Sequence, residues 1–157
     1  MRAEQYLSAA RQRGHDDSEV AYWLVRVCVA AGRYRSALAH SDDYLVRHPS
    51  DWSLRLVVAT LHEALGDTER AELELERIVK HAPGIALPHY RLAMLYRTRA
   101  SDRELAKAHL EEYLRLTPYG RHAVEAQAAL SEVTDSSIGP ARVPHPSTGV
   151  TSQEAGP

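Results

Sequence analysis

Prolines at positions 49, 83 and 118 constrain this 157-residue chain more than any other feature, because they stand 34 and 35 residues apart and the residue types between them recur. Ahead of each proline runs an apolar pattern of helical period, broken once by a turn. Self-similarity at this period marks an array of stacked helix pairs, since one pair cannot bury its own apolar face. Aligned on the prolines, the chain divides into units 18–51, 52–85 and 86–120, the last with one extra residue.

Each unit can be read position by position. Leu24, Val27 and Cys28 precede Gly32 in the first, and Tyr34, Ala37, Tyr44 and Leu45 follow it. Val58, Ala59, Leu61 and His62 precede Gly66 in the second, with Ala71, Leu75, Ile78 and Val79 beyond. Leu92, Ala93, Leu95 and Tyr96 lead into a glycine-free turn in the third, before Ala106, Leu110, Tyr113 and Leu114. Gly32 and Gly66 suit helix C-termini, where the chain turns through positive φ. Ala37, Ala71 and Ala106 are small where two helices approach closely, and bulk there would overpack. Each proline closes a second helix, whose hydrogen-bond ladder it cannot extend.

These residues, over Ser18 to Pro118 and about two thirds of the chain, resemble the tetratricopeptide repeat family. The match is strong at the small, glycine and proline positions. Ala21, Arg55 and His89 replace the tryptophan often found early in the family's first helices, Ser41 and Leu75 replace the aromatic of the second helix, and the turn Arg99 to Arg103 carries the insertion. The resemblance implies an all-α fold: a right-handed superhelical array of antiparallel helix hairpins, a solenoid. The flanks extend the array. Residues 2–13 repeat the spacing of a second helix, and residues 121–133 predict a final helix, with Ala123, Leu130 and Val133 along one stripe and Ala126, Ala128 and Ala129 allowing close contact. Eight helices are expected in one domain, residues 1–133. Residues 134–157, rich in Pro, Gly, Ser and Thr without an apolar period, predict a disordered tail.

Composition bounds the function. A formal charge of −2 steers the chain toward neither nucleic acid nor anionic lipid. No apolar run is long enough for a membrane span and no export signal is visible at Met1, so a cytoplasmic protein without membrane insertion is the expectation. A single cysteine leaves no intrachain disulfide and no cysteine cluster for zinc.

Nine histidines invite a metal or catalytic reading, yet no His-Glu-x-x-His occurs. His62 falls on a packing face as a satisfied, semi-buried ring; His40 and His109 are expected on an outer surface, too far apart to share an ion. Cys28 lies on the first helix's packing face, where a thiol is unreactive. The pairs Asp42–Asp43 and Glu111–Glu112 fall on second helices as solvated faces. No phosphate loop or nucleophile elbow is present. Catalytic residues, metal ligands and cofactor are therefore expected to be none, and the chain is expected not to be an enzyme.

The resemblance also implies a concave groove lined by the first helices. Opposite the packing side of Leu24, Val58 and Leu92, helical geometry collects Glu19, Tyr22, Trp23, Arg26 and Val29 from the first unit. Ser53, Leu56, Val57, Thr60 and Glu63 follow from the second, and Leu87, Tyr90, Arg91, Met94 and Arg97 from the third. Large adaptable side chains with arginines suit a protein partner, bound as an acidic extended segment or amphipathic helix. The alternative is that Trp23 and Val57 pack on neighbouring helices and the terminal helices fill the groove. Of Tyr22, Arg26, Val57, Leu87 and Arg91, which stand where some members clamp a free carboxylate, only Arg91 fits, so that mode is not expected. A scaffold or adaptor is the first functional reading. A small chaperone for a secretion or assembly substrate, and a structural subunit self-associating through its terminal repeats, are the others.

Overall fold

The structure is a computed structural model that describes residues 17–135, with Gln5, Ala9, Ala10 and Arg13 ahead of them. Among these, seven α-helices and one short 3-10 turn occur, and no strand. The helices are α1 (Asp17–Ala30), α2 (Tyr34–Arg47), α3 (Trp52–Ala64), α4 (Thr68–His81), α5 (Ala86–Tyr96), α6 (Arg103–Leu116) and α7 (Ala123–Asp135). Each packs chiefly on its predecessor and successor in the chain, the arrangement of a tetratricopeptide-like solenoid. Of the expected helix at 2–13 only Gln5, Ala9, Ala10 and Arg13 are described, the first three helical and Arg13 in a turn; its other residues, and most of the expected tail, lie outside the described residues. The last helix runs two residues further than the sequence pattern suggested, to Asp135.

Local chemistry punctuates the array. Gly32 and Gly66 hold φ of 68° and 76°. Beyond each, the next amide reaches back five residues, Arg33 to the Cys28 carbonyl at 2.8 Å and Asp67 to the His62 carbonyl at 2.9 Å. Both are the glycine-centred helix termination that uses orphan carbonyls. The third first helix lacks this glycine, and its chain leaves through the 3-10 turn Ala100–Asp102 instead. Asp51 and Asp67 cap α3 and α4 by accepting from the Leu54 and Arg70 amides. The residue before each unit-ending proline takes one conformation: His48, Ala82 and Thr117 have φ between −125° and −142° and ψ between 61° and 74°. Proline disfavours the helical region for its predecessor, and the helices stop there.

Ala37, Ala71 and Ala106 are fully buried where the two helices of each hairpin meet. The core is shared across unit boundaries. Ala21, Val25 and Cys28 of the first unit pack in one cluster with Leu54, Val58 and Leu61 of the second. Ala59 and Leu75 likewise pack with Leu92 and Ala106. Burial of each large side chain contributes roughly 1.5–3 kcal/mol, and that contribution depends on a neighbouring hairpin being in place.

At the position of the family's early tryptophan the first unit carries Ala21 and the second and third carry polar residues, Arg55 and His89, all buried. Arg55 donates from Nε to the Pro49 carbonyl at 2.7 Å and pairs with Glu74 at 2.8 Å. One unit later, His89 Nε2 lies 3.1 Å from the Pro83 carbonyl and His89 Nδ1 lies 3.0 Å from His109 Nδ1. The same two positions thus brace successive hairpins, by an ion pair in one and an imidazole pair in the next. His109 is consequently not the outer-surface residue expected from sequence. It is half-buried, because its position faces the hairpin interior.

Candidate functional site

At the N-terminal end of the first-helix face, α1 sets Tyr22, Trp23 and Arg26 three and four residues apart, so their side chains meet over one turn. The two rings stand edge to face, 5.6 Å apart at 74°. The Arg26 guanidinium lies 5.5 Å from the Tyr22 ring and 5.2 Å from the Trp23 ring, and donates to the Tyr22 hydroxyl at 3.0 Å. Stacked over aromatic faces, the cation is held without a carboxylate. Tyr22 remains 51% exposed and Trp23 43%, more than a core aromatic would be. Beside them is a small cavity of about 140 Å³, bounded by Tyr22, Tyr44 and Val57 among others.

Further along, the predicted residues are more involved with one another. Leu56 is half-buried against the second core cluster, and the Thr60 hydroxyl donates back to the Leu56 carbonyl. Glu63 of α3 accepts from Arg91 of α5 at 2.7 Å, across the junction of two units. Arg97 lies 3.8 Å from Glu132 of α7. Arg91 and Arg97, expected to stand ready for a partner's carboxylates, thus already face acidic residues of the chain itself. Tyr90 and Met94 pack at the edge of the third cluster.

A cavity of about 380 Å³ at this end is bounded by Glu63, Leu87, Tyr90, Arg91 and Met94, and by Arg121 and His122. The last two were not anticipated from sequence. His122 stacks on Tyr90 with centroids 4.4 Å apart, and Glu125 accepts from the Tyr90 hydroxyl at 2.8 Å and contacts His122 Nδ1 at 2.9 Å. Burial, then the hydrogen bond to Glu125 and its charge, push the Tyr90 phenol up to about 12. The one sequence signal for this corner was its place directly after the third unit-ending turn.

Other expected positions are corrected. His62 is buried as expected, but its Nδ1 has no hydrogen-bond partner, with the Asp67 carboxylate 3.6 Å away. In α7 the buried stripe is Ala126, Ala129 and Val133, with Leu130 half-buried and Ala128 exposed, because the helix meets α6 on that face. Cys28 is fully buried. Among the described residues, no group of three or more His, Cys, Asp or Glu is placed to hold a metal ion, and no helix is long and apolar enough to cross a membrane.

The fold has counterparts among solved structures. The chain is similar to the crystal structure of MamA, with a TM-score of 0.71 and 12% identity over 85% of this chain and 76% of that one. It is similar to MamA 41-end from Desulfovibrio magneticus RS-1, with a TM-score of 0.63 and 20% identity over 84% and 82% of the two chains. A tetratricopeptide repeat protein from Parabacteroides merdae matches with a TM-score of 0.72 and 20% identity over 85% of this chain. The chain spans about half the length, 53%, of that protein. No protein-family profile matches the sequence, and no curated protein does. At these identities the likeness establishes the fold, which is that of tetratricopeptide repeat proteins.

Proposed function

We propose that this chain is a protein-interaction scaffold that holds one segment of a partner, as a helix or an extended strand, along the face of its first helices. The observation that carries the reading is the half-exposed Tyr22–Trp23 pair under Arg26. Aromatic bodies left in water beside Val57, which is 37% exposed, have the composition that dominates interface energetics. The partner segment would place an apolar side chain against the rings and a carboxylate at Arg26. The ion pair between Glu63 and Arg91 keeps the middle of the face electrically balanced, so binding there would rest on shape and apolar contact.

A photo-crosslinking amino acid placed at Trp23 or Val57 tests this in cells. The expected outcome is a discrete crosslinked partner, lost when Tyr22→Ala and Arg26→Glu are added while helical circular dichroism is unchanged. Crosslinks arising instead from Val46 or Leu73, exposed on second helices, would reject the groove. Crosslinks joining two copies of the chain would favour self-assembly over adaptor function.

A further inference from the structure

The imidazole pair of the third hairpin has a proton inventory that geometry alone defines. The Pro83 carbonyl can only accept, so the His89 Nε2 facing it at 3.1 Å carries a hydrogen. His89 Nδ1 is then the lone pair, and His109 Nδ1–H donates to it across 3.0 Å. One added proton has a place, on His109 Nε2, where it leaves the contact intact. A second has none: protonating His89 at Nδ1 sets two N–H groups, and two cations, against each other in a buried site. The second hairpin, braced at the same positions by Arg55 and Glu74, has no imidazole at this contact and so no such limit.

The groups facing the pair do not lift the limit. From α4, Glu76 favours the charged form of His109, but its Oε1 already accepts from the Tyr96 hydroxyl of α5 at 2.8 Å. From α6 itself, Glu112 is gripped by Arg115 through two contacts of 2.6 and 2.7 Å. The ring of Tyr96 lies 5.7 Å from His109. Burial, then the charge of His89, hold His109 below the ordinary imidazole range despite Glu76.

We propose that His89 and His109 form a pH-sensitive latch, which holds α5 against α6 when both rings are neutral and releases them when the second proton is taken up. The direction follows from linkage. His109 takes up a proton in the unfolded hairpin as pH falls through about 6.5 and resists doing so in the folded one, so the latch's contribution is complete above that value and is lost progressively below it. Tyr90 and Arg91 follow His89 on α5, so release would loosen the C-terminal part of the first-helix face; that consequence rests on the proposed function, whereas the latch does not.

Amide hydrogen exchange on the full chain tests the latch without any partner. Between about pH 7.5 and pH 5, protection factors in α5 and α6 should fall relative to those in α3 and α4, and that relative loss is the quantity the experiment reads. The double variant His89→Arg with His109→Glu, which copies the second hairpin's brace, should abolish that difference. If the variant fails to fold, the wild-type His109 resonance decides: it must titrate below about 6.5. Equal acid loss in both hairpins, persistence of the difference in a folded double variant, or His109 titrating at or above the free value would each overturn the proposal.

Discussion

Leu92 is fully buried among Ala59, Leu75 and Tyr96, side chains drawn from two units. Leu92→Ala should therefore cost about 2–5 kcal/mol in chemical denaturation, with the larger values if the stack cannot collapse around the cavity. Arg55→Ala should cost about 1–3 kcal/mol, because it leaves the buried Pro49 carbonyl without its donor and Glu74 with Arg77 alone, whereas Arg55→Met with Glu74→Leu should recover much of that loss. The tyrosines separate by environment. Burial and then hydrogen bonds to Glu125 and Glu76 raise Tyr90 and Tyr96, while Tyr119 is 98% exposed. A phenol raised above its unfolded value of about 10 stabilises the fold fully below that pH and loses the contribution as pH rises through the folded value. Alkaline titration followed by phenolate absorbance should show Tyr90 and Tyr96 ionising above the ordinary phenol value of about 10; their ionisation at that value would contradict the Glu125 and Glu76 contacts.

At the level of the helix and the hairpin, what was legible in the sequence was what short-range physics decides. Gly66 marks its turn because the backbone there needs positive φ, and nothing lies within 4 Å of where a Cβ would stand. Gly66→Ala should thus cost only the left-handed strain, about 1–2 kcal/mol, without disturbing packing. Ala71→Trp should do the opposite. It leaves the turn intact and forces α3 and α4 apart, visible as lost amide protection across the second hairpin. The end of α7 and its buried stripe were misread because a run of alanines offers no apolar contrast, and only contact with α6 selects Ala126 and Ala129 over Ala128. His109 was misplaced for a related reason: a polar residue among charges resembles a solvent face until its partner, twenty residues away, is known.

Over the whole molecule, stability should follow a nearest-neighbour pattern, since each helix packs chiefly on the helices adjacent in the chain. Near neutral pH the middle hairpin, with a described neighbour on each side, should carry the highest amide protection, falling toward α1 and α7; uniform protection would indicate one cooperative block instead. The sequence by itself determined the repeat length, the turns, the close-approach alanines and the side of each first helix that packs, because glycine and proline geometry and helical period act within a few residues. Only the tertiary structure decided that Arg91 and Arg97 face Glu63 and Glu132, that Tyr90 is covered by His122 and Glu125, and that two histidines share a buried hydrogen bond. Those outcomes depend on distances between side chains of different helices, which neither period nor composition encodes.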